Sequence, residues 1–371
     1  MPEPRRRSEA LSTPKGRIQL VVHTFLLHIH PAQVHPSHLS FRHTWYAGFV
    51  SFHLFLILLI TGVPLMLYYT PHPEQAYQDM KDLASIVFLG TFLRNLHRWA
   101  AHAAVIVVAL HMYCVFLRTG YRRPRRFNWL IGVALLLLTL LLSFTGYLLP
   151  WDQLAFWAIT VGTNIGAYTP LIGQNVRVAL LGGHEVAGPA LLRFCVMHCV
   201  LLPVLAGTLI LFHFWRIRKD GGLVTPVSSG READRLTPSY PFAFLREVNT
   251  LLFTTVVLMI CALVWDAPLQ EQANPAITPN PAKSPWYFLG VQEMVSYDAL
   301  WGGIVAPGLM VTAALALPYL DRTASRRYSD RKIAIFVFTF VLLVNLVLIL
   351  VGLYCRGPGW EWRWPWHSTA H

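Results

Sequence analysis

Charge is scarce in this sequence. Only 13% of its 371 residues are Asp, Glu, Lys or Arg, about half of the roughly 25% found in soluble domains. Acidic residues are the scarcer kind, 18 against 30 basic ones, for a formal charge of +12. Hydrophobic residues supply 55%, and mean hydropathy is +0.47, so the expected solvent is a lipid bilayer. A soluble chain this basic would suggest nucleic acid. Here the basic residues sit in short clusters between apolar runs, and no nucleic acid partner is expected. Cysteine is sparse too. Cys114, Cys195, Cys199, Cys261 and Cys355 form no CxxC or CxxCH, so covalent c-type haem and a zinc knuckle are not expected. No cleavable leader is apparent, and polar residues 1–17 read as a cytoplasmic tail.

What is present is a series of apolar runs. Seven of them, near 46–69, 97–117, 129–149, 190–215, 247–265, 300–320 and 332–354, approach or exceed the roughly 20 residues that cross a hydrocarbon core as a helix. The expected fold is an all-α integral membrane protein with seven transmembrane helices, four in a first bundle and three in a C-terminal part. The implied divisions are 1–45 (tail and interfacial segment), 46–220 (four-helix domain), 221–246 (cytoplasmic linker), 247–355 (three-helix domain) and 356–371 (outer, Trp-rich tail). The stretch 18–29 is amphipathic and is expected to lie on the membrane surface.

Basic residues orient the spans. Arg118, Arg122, Arg123, Arg125 and Arg126 follow the second span. Arg216, Arg218, Lys219, Arg231, Arg235 and Arg246 lie between the fourth and fifth, and Arg322, Arg326, Arg327, Arg331 and Lys332 between the sixth and seventh. The positive-inside rule puts these loops and the N-terminus in the cytoplasm, with the protein in the inner (cytoplasmic) membrane. Two long outer loops, about 150–189 and 266–299, carry aromatic and proline-rich sequence, and loops of that length are usually functional. His23, His28, His30, His35, His38 and His43 are irregularly spaced among prolines and read as an interfacial segment rather than a metal site.

The second span holds His97 and His111, fourteen residues apart; the fourth holds His198 and His213, fifteen apart. Fourteen helical residues rise about 21 Å and return to within roughly 40° of the starting face. Two antiparallel helices so arranged offer His97 to His198 near the outer side and His111 to His213 near the cytoplasmic side. Intramembrane histidines are rare and costly. Neutral imidazole is a good axial ligand for haem iron, and ligation from both sides suits electron transfer. Two bis-histidine haem b groups are therefore expected, with these four histidines as the metal ligands. His102 has no partner at matching spacing and is left out of the site. Gly48 and Gly62 in the first span and Gly132 and Gly146 in the third repeat the fourteen-residue period. With no Cβ, each is expected to let a macrocycle lie against the backbone. Arg94, Arg98 and Arg193 at the outer mouth are expected to pair with haem propionates.

These residues resemble a known family. RNLHRWAAHAAVIVVALHMY, FTGYLLPWDQLAFWAITVGTN, LLRFCVMHCVLLP with HFWRIRKDGG, and ANPAITPNPAKSPWYFLGVQEM are similar to cytochrome b of the cytochrome bc and b6f complexes. The resemblance spans roughly residues 40–355, and seven spans resemble cytochrome b6 fused to a subunit IV-like part. It implies a subunit that oxidises quinol at an outer-side site and passes electrons through two haems to an inner quinone site, coupled to proton translocation. It also implies a Rieske iron–sulfur protein and a c-type cytochrome as partners, in a homodimeric multi-subunit complex. By position, Trp286 and Tyr287 match the end of the quinol-site PEWY motif, and Arg218 matches a basic residue beside the inner quinone site. Departures matter. Pro285 stands where the motif has glutamate, so Glu293, or else Asp152, is the expected proton acceptor. Cys114 replaces an arginine after the inner ligand, which leaves Arg118 for an inner propionate. Trp45 stands where the b6f type has the cysteine for an extra covalent haem, so none is expected. The competing readings are a dihaem conduit without a Rieske partner or bifurcation, and a haem-free transporter.

Overall fold

Seven helices long and apolar enough to span a bilayer run through the computed structural model, which describes residues 33–41, 45–224, 237–238, 240–323 and 325–366 besides Pro14. In chain order the helices are α1 (Ala47–Leu67), α2 (Ala76–Ser85), α3 (Gly90–Leu117), α4 (Arg126–Tyr147), α5 (Gln153–Ala167), α6 (Gly173–Leu181) and α7 (Gly188–Lys219). They continue with α8 (Phe242–Val264), α9 (Leu289–Val295), α10 (Trp301–Leu320) and α11 (Lys332–Tyr354). The spanning helices are α1, α3, α4, α7, α8, α10 and α11. A two-residue antiparallel pairing joins Gln33–Val34 to Thr237–Pro238. The amphipathic stretch 18–29, the tail 1–17 apart from Pro14, and His23, His28, His30 and His43 lie outside the described residues.

Helix α1 packs on α3, and α4 on α7, while α3 and α4 also meet. Helices α3 and α7 therefore face each other across a space instead of touching along their length. The C-terminal helices brace this bundle from outside, α8 against α3 and α10 against α4. Their outward faces are apolar and exposed, as at Phe253, Leu263, Ile333 and Phe336. In lipid such faces need no protein cover, because a helix pairs its backbone polar groups within itself.

Helix α7 contains a π-helical turn at Met197–Leu201, which includes His198. Fifteen α-helical steps would overshoot a full number of turns by about 60°. A π turn takes one extra residue into the ladder, so His198 and His213 return to one face despite the longer spacing. Pro203 lies just beyond this turn and has no amide hydrogen to offer the preceding turn.

The loop between α4 and α7 is built, not slack. Asp152 caps α5 by accepting a hydrogen bond from the Ala155 amide at 2.9 Å. Leu148, Trp151, Ile159, Leu181, Leu191 and Phe194 form a buried cluster beneath α5 and α6. Burying each such side chain contributes roughly 1.5–3 kcal/mol, enough to hold this end of the cavity in one shape. At the other end Arg331 is fully buried. It donates to the Leu117 and Phe116 carbonyls at 3.0 and 3.2 Å and to the Tyr121 hydroxyl at 2.6 Å. Asp321 completes the cluster with Arg122 at 3.0 Å, and Tyr121 donates a short hydrogen bond to it. This tie fixes the end of α3 to the α10–α11 connection.

Candidate functional site

A cavity of about 1350 Å³ runs through the first bundle, lined by residues of α1, α3, α4, α7 and the loop before α9. Pockets for one small ligand are usually about 300–1,000 Å³, so this space suits more than one occupant. All four histidines of the fourteen- and fifteen-residue pairs line it. The His97 and His198 ring centres are 6.2 Å apart with planes at 77°, and those of His111 and His213 are 6.5 Å apart at 82°. An ion held between two imidazoles by bonds of about 2 Å sets ring centres roughly 6 Å apart. Both pairs fit that span.

The tautomer at the first pair follows from its neighbours. The Thr61 hydroxyl donates to the Ile57 carbonyl at 2.7 Å, which leaves its oxygen as an acceptor for His97 Nδ1 at 2.8 Å. Thr145 repeats this, donating to Leu141 at 2.8 Å and lying 3.2 Å from His198 Nδ1. The Leu142 carbonyl is 3.1 Å from the same nitrogen. Since every neighbour accepts, each Nδ1 carries the hydrogen, and the Nε2 lone pair is free for a metal. At the second pair no threonine does this. His213 turns toward the Asn128 carbonyl without a hydrogen bond of good geometry. The two threonines precede Gly62 and Gly146, and this repeated Thr-Gly pair is the signal that spacing alone overlooks.

The four glycines line the cavity, and each also backs an imidazole. A Cβ on Gly146 would stand 2.5 Å from His198 Cε1, and one on Gly48 would stand 2.8 Å from His111 Cε1. At Gly62 the distance to His97 Cε1 is 3.2 Å, and at Gly132 the distance to His213 Cε1 is 3.8 Å. The glycines make room for the histidine rings, closely at three positions and loosely at Gly132.

The arginines divide. Arg98, Arg118 and Arg218 line the cavity. Arg94 also lines it, but its terminal nitrogens donate to the Ala267 and Pro268 carbonyls at 2.7 and 2.8 Å. It thus anchors the loop after α8. Arg193 does not line the cavity; its guanidinium fills the space over Gly182. Gly182 has φ of 75°, and the arginine packs against this turn.

The quinol-motif expectations also divide. Pro285 and Tyr287 line the cavity; Trp286 does not, and reaches instead to His102 on α3, donating from Nε1 to Nδ1 at 2.9 Å. His102, left out on spacing, is thus part of the cavity wall. Burial pushes the Tyr287 phenol up to about 12, so it stays a neutral hydroxyl. Asp152 lines the cavity, but one carboxylate oxygen accepts from the Ala155 amide and the other from the Gln270 amide at 3.0 Å. Glu293 is a correction. It lies on α9 outside the cavity, fully buried, in an ion pair with Arg356 and with hydrogen bonds from Tyr297 at 3.1 Å and Trp360 at 3.0 Å. Burial alone would raise its pKa, but the Arg356 and Tyr297 hydrogen bonds outweigh it and hold the carboxyl below its usual range. A carboxylate so held does not accept protons near neutral pH.

Residues 102–285 match the family described as cytochrome b (N-terminal)/b6/petB, and residues 272–361 match cytochrome b (C-terminal)/b6/petD. Cytochrome b6 of Heliobacterium mobile is 37% identical over 186 residues, 50% of this chain and 87% of that protein. Cytochrome b of Marchantia polymorpha is 32% identical over 304 residues, 80% of this chain and 74% of that one. A solved structure titled hyperthermophilic respiratory Complex III shares the fold at TM-score 0.80 and 24% identity, covering 92% of this chain and 90% of that chain.

Proposed function

The chain belongs to the cytochrome b/b6 family, and from that premise we propose that it is the dihaem cytochrome b subunit of a quinol-oxidising, bc- or b6f-type membrane complex. The observation that carries this reading is the pair of crossed imidazole couples in one cavity, with Nε2 of His97 and His198 left bare by Thr61 and Thr145. His97 with His198 would hold one haem b, and His111 with His213 the other. Bound there, the haems supply two one-electron carriers stacked across the membrane.

The chain's own residues do the rest. Helices α1 and α4 set the imidazole rings through their glycines, and the two threonines lock the ring orientation at the outer pair. Arg98 and Arg118 line the cavity and would pair with haem propionates. Tyr287, Pro285, Asp152 and Tyr147 line the cavity and would wall an outer quinol site, and Arg218, which also lines it, would serve an inner quinone site. The N-terminus and the basic loops occupy the cytoplasmic side. A Rieske iron–sulfur protein and a c-type cytochrome accept electrons outside, and a second copy of the chain completes a homodimer. Quinol oxidation outside and quinone reduction inside then move protons across the membrane.

A redox titration with haem quantified per polypeptide tests this. Two b haems per chain with separated midpoints are expected; a chain without haem overturns the reading. Pro285 in place of the motif glutamate, with Glu293 tied to Arg356, favours a second reading, a dihaem conduit without bifurcation. Copurification of a Rieske protein and inhibition by an outer-site quinol analogue separate the two.

A further inference from the structure

His102 stands apart from the four paired histidines. It lies on α3, lines the cavity, and is enclosed by aromatic rings. Trp286 stacks on it at 6.4 Å and 22°, Tyr287 meets it edge-on at 5.8 Å, and Trp99 lies 5.6 Å away. Arg98 is one turn earlier on the same helix.

Its hydrogen-bond chemistry is the reverse of that at His97 and His198. The Trp286 indole can only donate, so His102 Nδ1 must accept, at 2.9 Å. A neutral imidazole accepting at Nδ1 carries its hydrogen on Nε2. That second nitrogen makes no hydrogen bond within the described residues and is not among the sealed, partnerless polar atoms. The ring therefore offers one N–H donor to the cavity, beside Tyr287 and Pro285. A proton-accepting role would require the Trp286 bond to break, whereas a donor role uses the geometry as it stands.

Building on the proposed quinol site, we propose that His102 is a substrate-positioning residue of that site, its Nε2–H donating to a ring oxygen of the quinol or quinone. Trp286 sets this donor tautomer, which gives the indole a part although it does not line the cavity. A flat ring bearing oxygens suits a slot walled by aromatic faces with one fixed donor. No electron or proton transfer is assigned to His102.

Two isosteric substitutions separate this role from simple packing. In His102→Asn the amide oxygen replaces Nδ1 and still accepts from Trp286, but nothing replaces Nε2. In His102→Gln the amide nitrogen replaces Nε2, while the acceptor for Trp286 is lost. Steady-state oxidation of a short-tailed benzoquinol by the intact complex is expected to show KM raised about tenfold in His102→Asn, the worth of one buried hydrogen bond. His102→Gln is expected to restore most of that loss. The opposite order, or equal KM in both variants and wild type, overturns the proposal while leaving the quinol site in place. A haem-loaded wild-type complex that oxidises no quinol overturns both. Should the variants fail to load haem, 15N NMR of histidine-labelled wild type decides. A protonated Nε2 that shifts on adding a short-tailed benzoquinone supports the donor, and a bare Nε2 overturns it.

Discussion

Gly146 and His198 approach so closely that a methyl group on the glycine would stand 2.5 Å from Cε1 of the imidazole. The ring lies against the backbone of α4, and Thr145, the residue before, reaches its Nδ1. One dipeptide therefore fixes both the place and the tautomer of a histidine on another helix.

Replacing these glycines by alanine grades the four sites. Gly146→Ala and Gly48→Ala leave too little room for the ring and are expected to lose the haem at their respective ends. Gly132→Ala, with 3.8 Å available, is expected to keep both. Reduced-minus-oxidised α-band intensity per polypeptide measures this. Equal haem content in Gly146→Ala and Gly132→Ala would contradict it.

Thr61→Val and Thr145→Val keep shape and remove the hydroxyl acceptor for Nδ1, leaving His198 only the Leu142 carbonyl. Loss of such a supporting hydrogen bond typically costs roughly 10–100-fold in metal affinity or activity. The expected outcome is weaker haem retention and a shifted midpoint at the outer site, with the inner midpoint unmoved. Potentiometry with each site resolved distinguishes this from general unfolding, which moves both.

Glu293 and Arg356 form a structural pair, so Glu293→Gln is expected to leave the pH profile of quinol oxidation unchanged. Arg356→Met strands a buried carboxylate, and breaking such a pair costs about 3–5 kcal/mol. Detergent-resistant thermal unfolding of the purified complex reads the loss. A profile displaced by Glu293→Gln would return this residue to the quinol chemistry.

Asp321 gives the cytoplasmic clamp its pH dependence. Burial would raise its pKa, but hydrogen bonds from Tyr121 and Arg122 outweigh that and hold it well below the ordinary value. With the folded value depressed, the stabilisation is fully present above the unfolded value of about 3.9 and is lost as pH falls toward the folded one. Thermal stability is therefore expected to stay level from neutral pH down to about 5 on account of this group. Asp321→Asn is expected to lower stability at pH 7 and to flatten the acid limb. An acid limb identical in the variant and wild type would remove Asp321 as its source.

Much of the architecture was legible in residue order. Bilayer thickness and helical rise force about 20 apolar residues per span, so the seven runs predicted the seven long helices. The recurrence of histidine or glycine every fourteen residues marked one face on each of three helices. The fifteen-residue spacing in α7 became intelligible only with the π turn at Met197–Leu201. The surroundings of Arg193, Glu293 and His102 were not legible in the sequence for one reason. Each depends on a partner beyond the reach of a local pattern: Gly182 across a turn, Arg356 63 residues on, and Trp286 184 residues on.

By itself, then, the sequence determined the spans, their periodic faces and the four histidines, because helix geometry repeats locally whatever the chain packs against. Only the tertiary structure decided which nitrogen of His97 and His198 is free and which acid is neutralised. It also decided which solitary histidine reaches the cavity. Those properties belong to side-chain contacts between distant segments, and a hydrogen-bond donor or counter-ion acts only over the few ångströms that folding provides.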